Sequence, residues 1–327
     1  MRVRVVQLGL FLAAFGCGED DEAVGYLGAV DGGAPPDLGQ PDVVSREPVS
    51  VVAASCSESS VISMGDGVGG VRGISAFESL GVVVMSGEVR VVRLGSDGCP
   101  GGLVESFGDG GVLLGEVSSA VGLPGGRLLY ADHGGMRLLD SVGSVVDECV
   151  GSDGPVVSRV LGADGDGRVV GVFTKSPLMR VDVGLGVMDC EVDEVVLDPA
   201  PHAVMAVGVG LAGGFVTVEQ ASSGASLVVA RYGDDGVRVG ASVAGVGQAG
   251  GRLCSASGVF ETEAGVFVVD STCRRGLLFD AGGLGVVGIV EFGGVPKGLA
   301  GLPGGRDVLV VVELVGQDAG FLTVRFE

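Results

Sequence analysis

A glycine at the edge of a strongly apolar stretch recurs six times along the chain. Its positions are Gly81, Gly126, Gly167, Gly214, Gly265 and Gly305. The interval between them is roughly 45 residues, a period typical of repeat architectures. A short candidate strand precedes each glycine, and another follows the apolar stretch. Several of these third strands lead into Gly-rich or Asp-Gly pairs, which suit hairpin turns because both tolerate positive φ. Each unit is therefore predicted to be a small antiparallel sheet.

A period of about 45 residues with three or four short strands per unit predicts the blades of a β-propeller. One such sheet is too thin to bury both of its faces, so neighbouring sheets must pack around an axis. This arrangement also accounts for a chain in which 46% of the residues are hydrophobic. A β-helix or a pair of β-sandwiches could use the same glycine turns and valine-rich strands, and both stay open as alternatives.

The most regular unit is GVFETEAGVFVVDSTCRRGLLFDAGG, residues 258–283. It resembles the blades of NHL and related six-bladed propellers. The resemblance implies an all-β fold, a six-bladed β-propeller over residues 48–327, which follows a signal peptide and a flexible tether. The last unit ends at its third strand, FLTVRFE, so its fourth strand must come from elsewhere. We expect SSVISM, residues 59–64, to supply it and close the ring.

Residues 1–16 read as a secretion signal, because Arg2 and Arg4 precede an apolar run too short to span a bilayer as a helix. The run ends in AAFGC, which resembles a bacterial lipoprotein box. The resemblance implies that Cys17 is lipidated and that Gly18 favours the outer membrane, on its periplasmic or cell-surface face. Residues 17–47 are acidic and rich in Gly and Pro, which is typical of a flexible tether. The alternative is an ordinary signal peptide cleaved nearby, with Cys17 incidental.

Six further cysteines follow this segment. They are Cys56, Cys99, Cys149, Cys190, Cys254 and Cys273. An even number of cysteines in a secreted chain is typical of disulfides, so we expect up to three bonds. We favour Cys254–Cys273 because both residues fall within one proposed unit. The lack of a CxxC motif and the presence of only two histidines argue against a zinc site.

The chain is strongly acidic, with a formal net charge of −21. Nucleic-acid binding needs a basic surface to meet phosphate groups, so we exclude nucleic acid as a partner. Attachment to anionic lipid through a polybasic patch is disfavoured for the same reason. Membrane association is therefore expected only through the N-terminal lipid, and we expect a monomer.

Four acidic residues occupy the same place in their units, at the end of the apolar second strand. They are Asp132, Glu219, Asp270 and Glu313, and the other two units hold Ser86 and Thr174 there. In a propeller the loops after the second strands share the face where ligands usually bind. The carboxylates, with His133 beside Asp132, are thus candidate ligand-binding residues that could hold a hard cation or a basic partner. They could equally cap turns or face water.

No catalytic constellation is present in the sequence: it has no GxSxG motif and no Gly-rich phosphate loop that opens a helix. We therefore expect a non-catalytic binding or scaffolding module for protein, peptide or glycan partners, without a metal or cofactor. The resemblance also includes lactonase-type propellers, metal-dependent hydrolases whose divalent ion is held by Glu, Asn and Asp. Because the chain has no Asn, that alternative would need a site built from the carboxylates. A spacer within a larger envelope complex is a further alternative.

Overall fold

The computed structural model describes residues 49–56, 69–114, 117–132, 135–150, 157–163, 168–173, 176–182, 193–211, 213–221, 226–247, 251–282, 285–314 and 319–327. The predicted signal peptide, the tether with Cys17, and His133 lie outside these ranges. Within them, no helix has the length and apolar character that a membrane crossing requires.

The described strands form six antiparallel sheets and are numbered in chain order. The first strands of the sheets are β2 (Gly69–Phe77), β7 (Val117–Leu123), β11 (Val157–Ala163), β15 (Ala203–Val209), β19 (Gly258–Thr262) and β23 (Val295–Gly301). The second strands are β3 (Leu80–Ser86), β8 (Arg127–Asp132), β12 (Arg168–Phe173), β16 (Phe215–Gln220), β20 (Gly265–Asp270) and β24 (Asp307–Glu313).

The third strands are β4 (Glu88–Leu94), β9 (Gly135–Leu139), β13 (Ser176–Asp182), β17 (Leu227–Tyr232), β21 (Arg275–Asp280) and β25 (Ala319–Phe326). The fourth strands are β5 (Pro100–Leu103), β10 (Val145–Val150), β14 (Asp193–Glu194), β18 (Arg238–Val243), β22 (Val286–Glu291) and β1 (Val51–Ser55). A short extra strand, β6 (Val112–Leu114), also pairs with β4, and a 3₁₀ turn, Pro124–Gly126, joins β7 to β8.

The first strands contact one another in an unbroken cycle. The contacting pairs are β2 with β7, β7 with β11, β11 with β15, β15 with β19, β19 with β23, and β23 with β2. These strands therefore surround a central channel, and the other strands of each sheet step outward from it. The prediction of an all-β propeller is confirmed, and the β-helix and sandwich alternatives are wrong.

The second strands whose side chains are described are largely buried, because each sheet is packed between two neighbours. Every residue of β20 is buried, as is all of β24 except its two ends. The contact between these two sheets is continuous, since Phe267 and Leu278 of one sheet share a cluster with Val308 and Val310 of the next. Burial on both faces explains why these strands read as unbroken apolar runs rather than as alternating patterns.

The repeat glycines mostly lie where the sequence predicts tight turns. Gly265 adopts a φ of +147°, and a Cβ there would lie 2.0 Å from the carbonyl oxygen of Phe279, so only glycine fits. Positive φ values are also found at Gly126, Gly214 and Gly305. Gly81 differs, because it lies inside β3 and the turn before that strand uses Glu78, with a φ of 53°. Gly167 lies outside the described residues.

The strand that closes the ring is not the one expected. β1 pairs with β25, with Val51 opposite Phe326 and Ser55 opposite Leu322. Val51 and Ala53 pack onto the core between the last two sheets, so this short segment has the alternation that an outer strand needs. The segment SSVISM was expected to close the ring and lies outside the described residues. The last sheet is therefore completed by an N-terminal strand, as expected, but the residues predicted for that strand are wrong.

Two disulfides are seen between described residues. Cys254 is joined to Cys273, the pair favoured from the sequence, and Cys56 is joined to Cys99. The second bond links the end of β1 to the turn before β5, and thus connects the last sheet to the first. Cys149 is also disulfide-bonded, and Cys190 lies outside the described residues.

Candidate binding cavity at the mouth of the channel

One face of the propeller, here called the mouth face, carries the turns after the second strands and the segments that lead into the first strands. The second strands run towards this face, so the four predicted carboxylates end there. Asp132, Asp270 and Glu313 are the last residues of β8, β20 and β24, and Glu219 lies one residue before the end of β16. Each of them has partners of its own.

Asp270 is fully buried and saturated with hydrogen bonds. Its carboxylate accepts hydrogen bonds from the backbone amides of Cys254 (2.7 Å), Ser255 (3.2 Å) and Cys273 (3.0 Å), and from the Ser255 hydroxyl (3.2 Å). The guanidinium of Arg275 lies 3.9 Å away. Oδ1 accepts three of these bonds, Oδ2 accepts the bond from Cys254, and the guanidinium lies beside Oδ2. Asp270 therefore holds two loops together.

Glu219 belongs to a second buried network. It accepts a hydrogen bond from the Thr217 hydroxyl at 2.6 Å and pairs with Arg238 at 2.7 Å. Arg238 also donates to the hydroxyl of Tyr232 at 2.7 Å and lies over its ring. Burial and the neighbouring Glu219 raise the pKa of Tyr232 above its ordinary value of 10.0. The glutamate thus secures the outer part of its sheet.

Asp132 and Glu313 form less buried ion pairs. Asp132 pairs with Arg137 of the neighbouring strand β9. Glu313 pairs with Lys297 of β23 at 2.6 Å, and the exposed fractions of the two side chains are 23% and 33%. All four carboxylates consequently have a cationic partner within their own sheet.

The structure does not gather the four carboxylates into one cluster. Among the described residues, the one close group of three side chains of the metal-ligating types is Cys254, Asp270 and Cys273. Its two cysteines are joined in the disulfide, and a disulfide sulfur lacks the thiolate that binds metals. These contacts favour the turn-capping role that the sequence left open for the carboxylates.

A cavity of about 750 Å³ opens at the mouth face. Its described lining comes chiefly from the beginnings of β2, β7, β15, β19 and β23 and from the turn after β20. The volume lies within the range of pockets that bind small ligands or peptide segments. The channel mouth is therefore the best-formed candidate site in the described part of the chain.

A β-bulge places one residue from each of several first strands at the wall of this cavity. Register shifts leave an extra residue in β2, β7, β15 and β23. These residues are Arg72, Ser118, Met205 and Lys297, and all four line the cavity. Bulges are common beside binding sites because they redirect a side chain without ending the sheet.

The two cations of the described lining lie on adjacent strands, at the seam between β2 and β23. The strands approach closely there, because a Cβ on Gly298 would lie 3.2 Å from the Cα of Gly73. Lys297 is engaged by Glu313. Arg72 is exposed and donates one hydrogen bond, 3.2 Å long, to the Ser86 hydroxyl.

Sequence reasoning missed both cations as site residues. A usable signal was present, since each stands directly before a glycine near the beginning of a first strand, in VRG and PKG. The glycine permits the close approach of the two strands, and the bulge places the cation at the cavity wall. The bulge itself is invisible in the sequence, and so the direction of the side chain could not be deduced.

No family model matches the chain, and no curated protein matches it. Among solved structures it is similar to the β-propeller domain of Myceliophteria thermophila Cps50 (Swd1), with 13% identity over 80% of this chain and 97% of that chain and a TM-score of 0.50. The WD40 domain of Neurospora crassa Pan2 is 11% identical over 77% of this chain and 74% of that chain, with a TM-score of 0.45. The first likeness supports the propeller fold alone, and the NHL resemblance stays a prediction.

Proposed function

We propose that the protein is a non-catalytic binding module whose partner enters the cavity at the mouth face. The observation that carries this proposal is the cavity itself, at the end of the channel, whose described lining combines hydroxyl groups, two cations and the exposed Met205. Propellers of otherwise unrelated sequence serve as interaction scaffolds, which is an argument by analogy of fold. A protein or peptide partner is favoured over a glycan, because the described lining has no aromatic side chain.

The lining supports binding rather than turnover. No His, Cys, Asp or Glu is found among its described residues. The hydroxyl of Ser118 donates to the carbonyl oxygen of Ala131 at 2.9 Å, and that of Ser257 donates to the carbonyl oxygen of Pro296 at 3.2 Å. A hydroxyl needs an adjacent base to become a nucleophile. The hydrolase alternative would need the four carboxylates to bind one metal ion together, and each of them is instead paired with a cation in its own sheet.

We further propose that the six sheets are the blades of one NHL-like ring tethered to the cell envelope. The cycle of contacts between first strands supports the ring. The composition of residues 1–47 supports a signal, a lipidated Cys17 and a solvated tether. A flexible tether of this length has a mean end-to-end distance of about 30 Å.

Site-specific photo-crosslinking in intact cells tests the binding proposal. A photoreactive residue replaces Thr272, which lies in the turn after β20 and lines the cavity. The matched control is Arg306, an exposed residue in the turn between β23 and β24, on the opposite face. We expect discrete adducts from position 272 and none of the same mass from position 306.

A second arm assigns the adducts to the cavity. The substitution Met205→Glu places a negative charge on a lining residue that is 37% exposed, so the fold should tolerate it. We expect adducts from position 272 to decrease in this variant. Equal adducts from both faces, or none from position 272, would overturn the proposal.

A further inference from the structure

Arg72 is the charged group at the mouth with the most capacity left for a ligand. Among the described residues its hydrogen-bond partner is a neutral hydroxyl, that of Ser86. A guanidinium carries five N–H donors in a fixed fork that matches a carboxylate. The neighbouring cation, Lys297, is already neutralised by Glu313 at 2.6 Å. The seam therefore presents one uncompensated positive charge to the cavity.

This local charge contrasts with the net charge of −21 for the whole chain. Repulsion from distant carboxylates is screened beyond about 8 Å at physiological ionic strength. A ligand with a single carboxylate, otherwise neutral, thus gains the contact with Arg72 and meets little long-range repulsion. A polyanion would meet more of it.

Met205 is the most exposed apolar side chain of the described lining, at 37%. Other aliphatic residues of the lining, Ile74, Val207 and Val259, are buried in the clusters between the sheets and offer a ligand little free surface. An aliphatic side chain of a ligand would gain from burial against Met205. The ligand that fits both Arg72 and Met205 carries a carboxylate and an aliphatic group.

We propose that the cavity binds the free C-terminus of a peptide, with the α-carboxylate on Arg72 and the aliphatic side chain of the last residue against the exposed Met205. This inference rests on the proposed binding function and names the chemistry of its ligand. Ser86 positions the guanidinium, because its hydroxyl is the group among the described residues that accepts a hydrogen bond from Arg72.

Titration calorimetry on the purified full chain tests the proposal. The probes are acetyl-Ala-Ala-Xaa peptides with Xaa as Ala, Val, Leu or Phe, each as the free acid and as the C-terminal amide. We expect at least one aliphatic free acid to bind about tenfold or more tightly than its amide, the range for a hydrogen-bonded charged group. Arg72→Gln should abolish that preference.

Two further variants keep the test specific. Arg306→Gln removes an exposed cation on the opposite face and should leave the affinity unchanged. Met205→Gln makes the partly exposed lining residue polar and should weaken Leu-ended acids more than Ala-ended acids. Thermal unfolding of each variant establishes that it is folded.

The result that overturns the inference is equal binding of acid and amide across the panel, or an acid preference that survives Arg72→Gln. Trigalacturonate is the sugar arm, and tighter binding of it than of any peptide acid would also overturn the inference. Photo-crosslinking at position 272 does not depend on these probes. Adducts there without acid preference would refute the carboxylate contact and leave the proposed function standing.

Discussion

Asp270 and Arg72 share the mouth face and are opposite cases. Asp270 is fully buried and accepts four hydrogen bonds, which tie the loop around Cys254 to the turn around Cys273. Arg72 is exposed and donates one. The comparison shows that recurrence at one place in a repeat does not identify a ligand residue. A ligand residue is better identified by the number of its hydrogen-bond donors or acceptors that the protein itself leaves unused.

The largest expected effect is a loss of free energy of unfolding, caused by Asp270→Ala. The substitution removes four hydrogen bonds and leaves the buried Arg275 without its carboxylate, and breaking a buried pair costs about 3 to 5 kcal/mol. Asp132→Ala is the matched control, because Asp132 ends the equivalent strand in a partly exposed pair that is worth about 1 kcal/mol or less. Urea unfolding measures both. Equal losses would mean that the burial of Asp270 has no special role.

The second largest losses of stability are expected from removing the disulfides, one beside Asp270 and one at the closing sheets. Cys254–Cys273 flanks Asp270 and spans 19 residues, whereas Cys56–Cys99 ties the closing sheets and spans 43. The entropy of the unfolded chain predicts losses of about 3 and about 4 kcal/mol on replacing each pair by serines. Denaturant unfolding of the two double variants should therefore rank the closing bond first. The reverse ranking would contradict this account.

A smaller change in stability is expected in alkaline solution, and it comes from Tyr232 in the Glu219 network. The pKa of Tyr232 is raised on folding, so the unfolded chain loses its phenolic proton at lower pH than the folded chain does. The stability due to this group is thus complete below pH 10 and falls as the pH rises above it. Tyr232→Phe should lose less stability between pH 9 and pH 11 than the wild type. Parallel pH profiles would show that the tyrosine is not involved.

The smallest effect is expected for the ion pair at the seam. Lys297 and Glu313 are partly exposed, and such pairs contribute about 0.5 kcal/mol. A double-mutant cycle with Lys297→Gln and Glu313→Gln measures their coupling. The coupling free energy of this pair could instead equal the loss of stability caused by Asp270→Ala. The pair would then be structural, like Asp270, and the contrast between Asp270 and the cations at the seam would disappear.

The strands were largely predictable from the sequence, whereas the site was not. Apolar runs such as GVFVVD report burial between two sheets, and a glycine such as Gly265 reports a backbone that no other residue fits. The partner of Glu219 is Arg238, two strands further along the chain, so it depends on strand register. The direction of Arg72 depends on a bulge, which leaves no local pattern.

The closing strand was missed for a related reason. Val51–Ser55 is short, and the sequence just before it, SREPVS, holds no glycine. Its pairing with β25 joins opposite ends of the chain. Only the geometry of the whole ring selects this segment over the one expected.

Closure by β1 has a mechanical consequence. A pull on the chain ahead of Val49 acts first on the backbone hydrogen bonds of Val49 with Val287 and of Ser50 with Glu327, and then on Val51, which faces Phe326 at the outer edge of the last sheet. The strand would therefore separate from β25 one residue at a time, so that its hydrogen bonds break in sequence rather than all at once. Peeling would stop at Cys56, because its bond to Cys99 anchors the next point of the chain to the first sheet. Under load the ring would yield by one strand and hold.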